Sequence, residues 1–359
     1  MRVIITAGGT GGHIYPALAI LDKIKEKEPD SEFLYIGTTN RMEKDIVPKR
    51  GIKYVGIEMY GFTKSLAMDL KLPILILKNI KKCQKIIRDF KPDVVLGIGG
   101  YVTYPVIKAA KKEGIKVFIH EQNSIPGKSN KALAKLADKI GISFPGSKEF
   151  FDERKVVFTG NPCSEQAIDS KPIPKTNFGL DPKKKLVLIV QGSLGSSSIN
   201  EKMTPFLKNA DDDRYEILYV TGKASYEEFI KNDFSKNVHV VSYIDNLSGL
   251  MKNADVVISR AGASSISEII ALKKLSILIP SPYVANNHQF FNALELANNK
   301  AAFMIEEKNL NEKTLKDILN KLIDKEYLEL QINMQLKLSK MGKNDSSTII
   351  YNTIKDMIK

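Results

Sequence analysis

Short apolar runs separated by amphipathic stretches of about ten to fifteen residues set the rhythm of this chain. Such runs occupy 3–6, 33–36, 94–98, 117–120 and 156–159 in the first half, and 186–191, 217–220, 238–241, 256–259 and 277–280 in the second. Few of them alternate apolar with polar positions. A strand with one wet face alternates, whereas a strand covered on both faces does not. The pattern therefore predicts two parallel sheets, one per half, each doubly wound with helices on both faces.

The halves also open alike. The strand at 3–6 runs into Ala7-Gly8-Gly9-Thr10-Gly11-Gly12-His13 and a helix, and that at 186–190 into Gln191-Gly192-Ser193-Leu194-Gly195-Ser196 and a helix. The boundary follows the Thr159-Gly160-Asn161-Pro162 turn, giving domains over 1–163 and 164–343 joined by a Lys-, Pro- and Ser-rich linker to about residue 185. The last segment, 344–359, opens on cap-like Asn344-Asp345-Ser346-Ser347 and puts Ile350, Ile354, Met357 and Ile358 on one helical face. That face either caps a local core or crosses back onto the first domain, the arrangement adopted here.

The length of 359 residues agrees with two domains at about 150 residues each. A composition 43% hydrophobic and 26% charged excludes wholesale disorder. Cys83 and Cys163 lack metal-ligand or redox spacing, which excludes a disulfide framework or zinc site and points to a reducing compartment. The first apolar stretch is a strand leading into a glycine loop rather than a leader, and the run at 72–77 is far short of the ~20 residues of a membrane span. A cytoplasmic, non-spanning protein is expected. The net charge is +13, and residues 1–163 hold 28 Lys and Arg against 17 Asp and Glu, while 164–359 hold 26 against 24. The first half therefore meets something anionic: nucleic acid, an acidic membrane or a phosphorylated substrate.

Glycine loops between strand and helix present backbone N–H groups to phosphate, aided by the helix dipole. The first is not a dinucleotide fingerprint, because Ile14 stands where the third glycine belongs and no acid ends the second strand at Ile36-Gly37-Thr38. Gly127-Lys128-Ser129 is not a P-loop, since Gln122 replaces its first glycine. Ser259-Arg260-Ala261-Gly262-Ala263-Ser264-Ser265 suits a diphosphate, with Glu268 one turn on for vicinal hydroxyls; the same residues also read as an ordinary capped helix. His13, His120 and His288 lie near loop ends, too scattered in sequence for a shared metal.

Seven ordered motifs, Thr6-Ala7-Gly8-Gly9-Thr10-Gly11-Gly12-His13, Arg41-Met42-Glu43, Gly99-Gly100-Tyr101-Val102, His120-Glu121-Gln122-Asn123, Gly160-Asn161-Pro162, Ser259-Arg260-Ala261-Gly262-Ala263 and His288-Gln289-x-x-Asn292-Ala293, closely resemble the MurG family. These are peripheral membrane transferases that add N-acetylglucosamine to lipid I in peptidoglycan synthesis. The resemblance implies an α/β GT-B glycosyltransferase fold, two Rossmann-like domains facing a deep cleft, with acceptor and membrane sites in the first domain and UDP-N-acetylglucosamine in the second. It implies Ile244 at the uracil, with Tyr243 nearby. Ala263, Ser264, Ser265 and Ser193 would face the diphosphate, Glu268 the ribose, and His288, Gln289 and Asn292 the sugar. Thr10, Gly11, Gly12 and Asn123 would line the acceptor site.

The implied reaction is an inverting displacement with His13 as base; His13 as a mere hydrogen-bonding group and Glu121 as base remain alternatives. No cofactor or metal is implied. Ser164 stands where the family has Arg, removing a charge-assisted contact worth about 1.5–3 kcal/mol. Smaller departures are Gln191 for Gly, Ser196 for Ala and Ser265 for Thr. Eight Lys and Arg against Asp69 and Asp89 between Lys64 and Lys91, interleaved with Leu and Ile, suit an anionic membrane surface at its cytoplasmic face or a helix burying its apolar side, and both readings can hold for different residues. Cell-wall or division proteins are expected as partners. A UDP-N-acetylglucosamine 2-epimerase would not need that stretch. A nucleic-acid binder would need stacking aromatics within it, where only Phe90 occurs.

Overall fold

Two all-parallel sheets organise the chain in the computed structural model, which describes residues 1–61, 66–191 and 195–359 and, of these, all side chains but those of 66–68. The first sheet comprises β1 (Arg2–Ala7), β2 (Glu32–Thr38), β3 (Lys53–Ile57), β4 (Val94–Gly99), β5 (Lys116–Glu121), β6 (Lys139–Ile142) and β7 (Val156–Phe158), in the order β3-β2-β1-β4-β5-β6-β7. The second comprises β8 (Lys185–Val190), β9 (Tyr215–Val220), β10 (Val238–Val241), β11 (Val256–Ser259), β12 (Leu275–Leu278) and β13 (Phe303–Met304), in the order β10-β9-β8-β11-β12-β13.

β3, β6 and β13 escaped the hydrophobic pattern. β3 and β13 are edge strands with half-exposed residues, and β6 is four residues long with Gly141 in its middle. Their pairing comes from the neighbouring strand rather than from their own composition.

Helices cover both faces of the first sheet. On one side, Ile14, Ala17, Leu18, Leu21 and Ile24 of the helix Gly11–Lys27 recur at helical spacing and bury against Val3, Ile5 and Leu96. On the other, Ile80, Cys83 and Ile87 of the helix Leu66–Phe90 pack with Val106, Ile107 and Ala110 of the helix Thr103–Lys112. In the second sheet, Met203, Phe206 and Leu207 join Leu315, Leu319 and Met334 over Ile189, Ile217 and Ile258.

The chain divides into two compact units, Met1–Cys163 with Asp345–Lys359, and Ser164–Asn344. The terminal helix Ser346–Ile358 crosses back: Ile350 and Ile354 are fully buried in the cluster that holds Ile14, Leu18 and Leu21. Glu28 fastens it, taking Lys355 Nζ at 2.6 Å, Tyr351 Oη at 3.0 Å and the Met1 amino group at 3.4 Å.

Candidate active site

In each sheet the chain starts near the middle, winds outward, then returns to wind the other way. The reversal falls between β1 and β4 in the first sheet and between β8 and β11 in the second. Loops leaving the carboxyl ends of these strand pairs diverge to opposite faces and open a crevice, the usual ligand site of doubly wound sheets. The glycine-rich motifs lie at these two places.

In the first unit the loops after β1 and β4 touch. Gly8 N donates to Gly99 O at 3.1 Å, and a Cβ on Gly100, whose φ is +91°, would run into the Gly8 carbonyl. Gly9 and Gly99 also have positive φ, +96° and +126°. His13, in the first turn of Gly11–Lys27, has Nδ1 3.1 Å from Gly8 O. A carbonyl only accepts, so Nδ1 carries the proton and the lone pair lies on Nε2. The imidazole packs on Gly99, where a Cβ would come within 2.5 Å of its Cδ2. Thr10 and Gly12 are exposed and Gly11 and His13 half-buried. Among the described residues no side chain caps this helix and no acid stands in its first turn, which suits an anion at its start.

Two buried carboxylates shape the surrounding loops. Glu121 accepts Asn123 N at 2.9 Å and Asn123 Nδ2 at 3.1 Å on one oxygen, and Gly127 N at 3.0 Å and Asn130 Nδ2 at 2.9 Å on the other. Asn123 is thereby held at the carboxyl end of β5, and Glu121, the alternative base, is committed to its own loop. Glu43 is fully buried and accepts Thr38 N at 3.0 Å, Thr38 Oγ1 at 2.7 Å and Gly9 N at 3.2 Å. His120 is also fully buried. Its Nε2 donates to Gly160 O at 3.0 Å while Nδ1 accepts the Gln122 amide at 3.0 Å. Burial lowers it to about 4, so it stays neutral.

In the second unit the corresponding loops follow β8 and β11. Ser193 lies outside the described residues. The loop's far end is fixed by Gly195, with φ +76°, whose Cβ would strike the Thr221 carbonyl. Arg260 is buried beneath: it pairs with buried Glu307 at 2.7 Å and donates to Ser196 Oγ at 2.8 Å and Ile279 O at 3.3 Å. Its charge is thus committed inside the unit, where it locks the end of the loop.

Among the described residues the helix Ala263–Ala271 begins after Gly262 with no side-chain cap, and it has no acid in its first turn. Ser264 Oγ is buried without a partner among the described residues, and Ser265 is half-buried beside it. An uncapped helix start with an orphaned hydroxyl suits an oxyanion. One turn on, burial pushes the Glu268 carboxyl up to about 7. After β10, Ile244 is buried and Tyr243 exposed, with Lys223 Nζ 4.9 Å above its ring centre.

The remaining expected residues are more tied down. His288 opens the helix His288–Asn298, Nδ1 2.8 Å from Ala285 O, and Gln289 Oε1 accepts Ser281 N at 2.9 Å. Asn292 is fully buried and donates to Ala261 O at 3.2 Å, bracing the turn before the Ala263 helix. Ser164 Oγ donates to Lys343 O at 3.0 Å, holding the outgoing chain beside the returning one.

The sequence thus brought Thr10, Gly11, Gly12 and His13 to one crevice and Ala263, Ser264, Ser265 and Glu268 to another. It gave no role to Glu43, Arg260 or Glu307. The first two sat inside quoted motifs, but only packing shows what their charges hold. Among the described residues no group of three His, Cys, Asp or Glu is placed to hold a metal ion.

Comparison with known proteins agrees with this geometry. Residues 3–142 match the glycosyltransferase family 28 N-terminal domain and residues 186–347 its C-terminal domain. The chain is 42% identical to UDP-N-acetylglucosamine–N-acetylmuramyl-(pentapeptide) pyrophosphoryl-undecaprenol N-acetylglucosamine transferase 2 of Bacillus thuringiensis, covering 100% of both. It is 41% identical to the transferase of that name from Pediococcus pentosaceus, again over 100% of both. The crystal structure of Acinetobacter baumannii MurG superposes with TM-score 0.80 at 26% identity, covering 99% of each chain. A Neisseria meningitidis UDP-GlcNAc 2-epimerase, at 16% identity and TM-score 0.68 over 99% of this chain and all of its own, shares the fold. The two parallel sheets and the full-length identity place this chain in the MurG family of GT-B N-acetylglucosaminyltransferases.

Proposed function

We propose that this chain transfers N-acetylglucosamine from UDP-N-acetylglucosamine to the 4-hydroxyl of the N-acetylmuramyl sugar of lipid I, with inversion, to give lipid II for peptidoglycan synthesis. The observation that carries this reading is the 42% identity, over the whole of both chains, to relatives named for that transfer. The acceptor pyrophosphate meets the leading N–H groups of Gly11–Lys27, with Thr10, Gly11, Gly12 and Asn123 lining its site. His13 Nε2 takes the proton of the attacking hydroxyl as the anomeric bond to UDP breaks. The diphosphate leaves against the helix start at Ala263, Ser264 and Ser265; Ser193, outside the described residues, is assigned to it on the family resemblance alone. Glu268 takes the ribose, the backbone at Ile244 the uracil, and His288 and Gln289 the sugar, braced by Asn292. Dipoles and hydroxyl donors meet the leaving charge, so no cofactor or divalent cation is needed.

The acceptor is a lipid, and one helix is built to meet its membrane. Leu70, Ile74 and Leu77 of Leu66–Phe90 are 70%, 70% and 60% exposed at helical spacing, amid exposed Lys71, Lys78, Lys81, Lys82 and Lys85. Among the described residues no helix is long and apolar enough to cross a membrane. The reading is peripheral attachment to the anionic cytoplasmic face, with cell-wall or division proteins as further partners and no nucleic acid.

The deciding assay is UDP release from UDP-N-acetylglucosamine with and without a short-chain lipid I analogue. The proposal expects release only with acceptor, coupled to a disaccharide product and unchanged by EDTA. Interconversion of the UDP-sugar alone would instead make the protein an epimerase. No release in either mixture would reject the transfer.

A further inference from the structure

The first glycine loop contains a connection that passes through a single peptide unit. Gly9 N–H donates to Glu43 Oε2 at 3.2 Å, and Gly8 C=O accepts His13 Nδ1–H at 3.1 Å. That N–H and that C=O are the two ends of the same trans peptide and point in opposite directions. We propose that Glu43 is a positioning residue for His13, its carboxylate acting through the Gly8–Gly9 peptide as the carboxylate of a carboxylate–histidine pair acts directly. This rests on the reading of His13 as the base.

The surroundings are shaped to this carboxylate. Glu43 is fully buried, and besides Gly9 it takes two donors from Thr38 at the carboxyl end of β2. A Cβ at Gly8 would lie 2.6 Å from Glu43 Oε1, and one at Gly37 would lie 2.7 Å from its Cγ. Both glycines therefore make room for the side chain. Tyr35 Oη donates to Ala7 O and Tyr54 Oη to Thr38 O, closing the shell. Burial, reinforced by the Glu43 charge, raises both phenols, so they remain neutral. Asp45 is the other acid on this short helix, and Gly99 forms the opposite wall of the imidazole.

The chemistry follows from polarisation along a hydrogen-bonded chain. A negative charge on the N–H end of the peptide pushes electron density toward its carbonyl oxygen and strengthens the bond from His13 Nδ1–H. This fixes the tautomer with the lone pair on Nε2 and favours the imidazolium formed when Nε2 takes the acceptor proton. Nδ1 keeps its proton throughout. Glu43 exchanges none, since its oxygens are buried and engaged by donors.

The test uses the full chain with 15N-labelled histidine. The protein has four histidines, His13, His120, His239 and His288, so the spectrum is assignable by single substitution. The wild type should show His13 protonated at Nδ1. Glu43→Gln keeps the shape but removes the charge. The His13 pKa should fall by about 0.5–1 unit, and the acid limb of kcat/KM for acceptor should move to lower pH by the same amount. kcat should drop about ten- to a hundredfold with KM for UDP-N-acetylglucosamine unchanged. In a His13→Gln background the further substitution should change kcat less than twofold. A His13 pKa identical in E43Q and wild type, or an equal loss from E43Q in both backgrounds, would overturn the proposal and leave Glu43 a loop brace. Full activity of H13Q alone would instead overturn the reading of His13 as base, whatever the pKa comparison shows. If E43Q does not fold, E43D takes its place: it keeps the charge but draws it back from Gly9 N–H by one methylene, so a smaller fall in the His13 pKa is expected, and no fall would overturn the proposal.

Discussion

Residues of the same type do different work here according to what surrounds them. Four glycines in the first unit, Gly8, Gly37, Gly99 and Gly100, stand where a Cβ would meet a carboxylate, its stem, an imidazole or a carbonyl. Gly100→Ala is the sharpest test, since it combines a φ of +91° with a backbone clash. It should cost about 1–3 kcal/mol of strain and separate the two loops. The expected result is a lowered melting temperature and at least a tenfold loss of kcat, with UDP affinity, measured by calorimetry, intact. Among the carboxyls, burial brings Glu268 toward neutrality. A carboxyl raised to about 7 is half protonated there, and if Glu268 holds the ribose as proposed, its ionised form is the stronger acceptor for two hydroxyls. UDP affinity should therefore rise as pH climbs through 7 and fall up to about tenfold per unit below it. Calorimetry at pH 6 and 8 checks this, and Glu268→Gln should bind more weakly at pH 8 with most of the slope gone.

Among the elements, the helix Leu66–Phe90 shows how one segment carries two patterns. Its inner row, Ile80, Cys83 and Ile87, is core, while Leu70, Ile74 and Leu77 form an exposed outer row. The sequence offered membrane contact and core packing, each open to different residues; the structure buries one row and leaves the other exposed, the row that the proposed membrane contact would use. Changing Leu70, Ile74 and Leu77 together to Glu should weaken binding to vesicles containing anionic lipid by at least tenfold in a sedimentation assay. Turnover of a soluble acceptor analogue should stay within about twofold, because none of the three touches the core. The same contrast explains which strands were legible. β1, β4 and β8, buried on both faces, announce themselves as apolar runs. β3, β6 and β13 are short or half-exposed and become strands because a paired neighbour supplies their hydrogen bonds.

Across the whole molecule, the two units repeat one architecture and differ in which ionisable group burial shifts. His120, in the first, is held near 4 against an ordinary value of 6.5. The unfolded chain therefore binds the proton more readily, and the stability His120 contributes is present above pH 6.5 and lost as pH falls through 4. That amounts to about 3 kcal/mol over the window. Glu268, in the second, is raised from 4.5 to about 7, so its contribution is present below 4.5 and lost as pH rises through 7. These groups pull in opposite directions between pH 4.5 and 6.5. Hydrogen exchange on the full chain, corrected for intrinsic rates, should show the first unit gaining protection and the second losing it over that range. His120→Gln should flatten the first trend and Glu268→Gln the second. Parallel responses in both units would show that other groups dominate.

Periodicity and punctuation along the chain were enough to determine two doubly wound halves, the turn at Gly160-Asn161-Pro162, and glycine loops carrying His13 and Ser264. These are local features: a run buried on both faces is apolar throughout, and a phosphate loop needs glycine wherever it occurs. The motif order was enough to identify the family. The tertiary structure alone decided which unit the terminal helix Ser346–Ile358 joins, because its apolar face suits any exposed core and only the partner surface around Ile14 and Leu18 selects it. It alone separated His13, whose Nδ1–H is anchored with the lone pair on Nε2, from His120, sealed and neutral. It alone showed that the charges of Glu43, Glu121 and Arg260 are directed inward, onto loops. A charge's role depends on what lies within about 3 Å of it, and those partners are up to 64 residues away in sequence, as for Arg260 and Ser196, where no local pattern can record them.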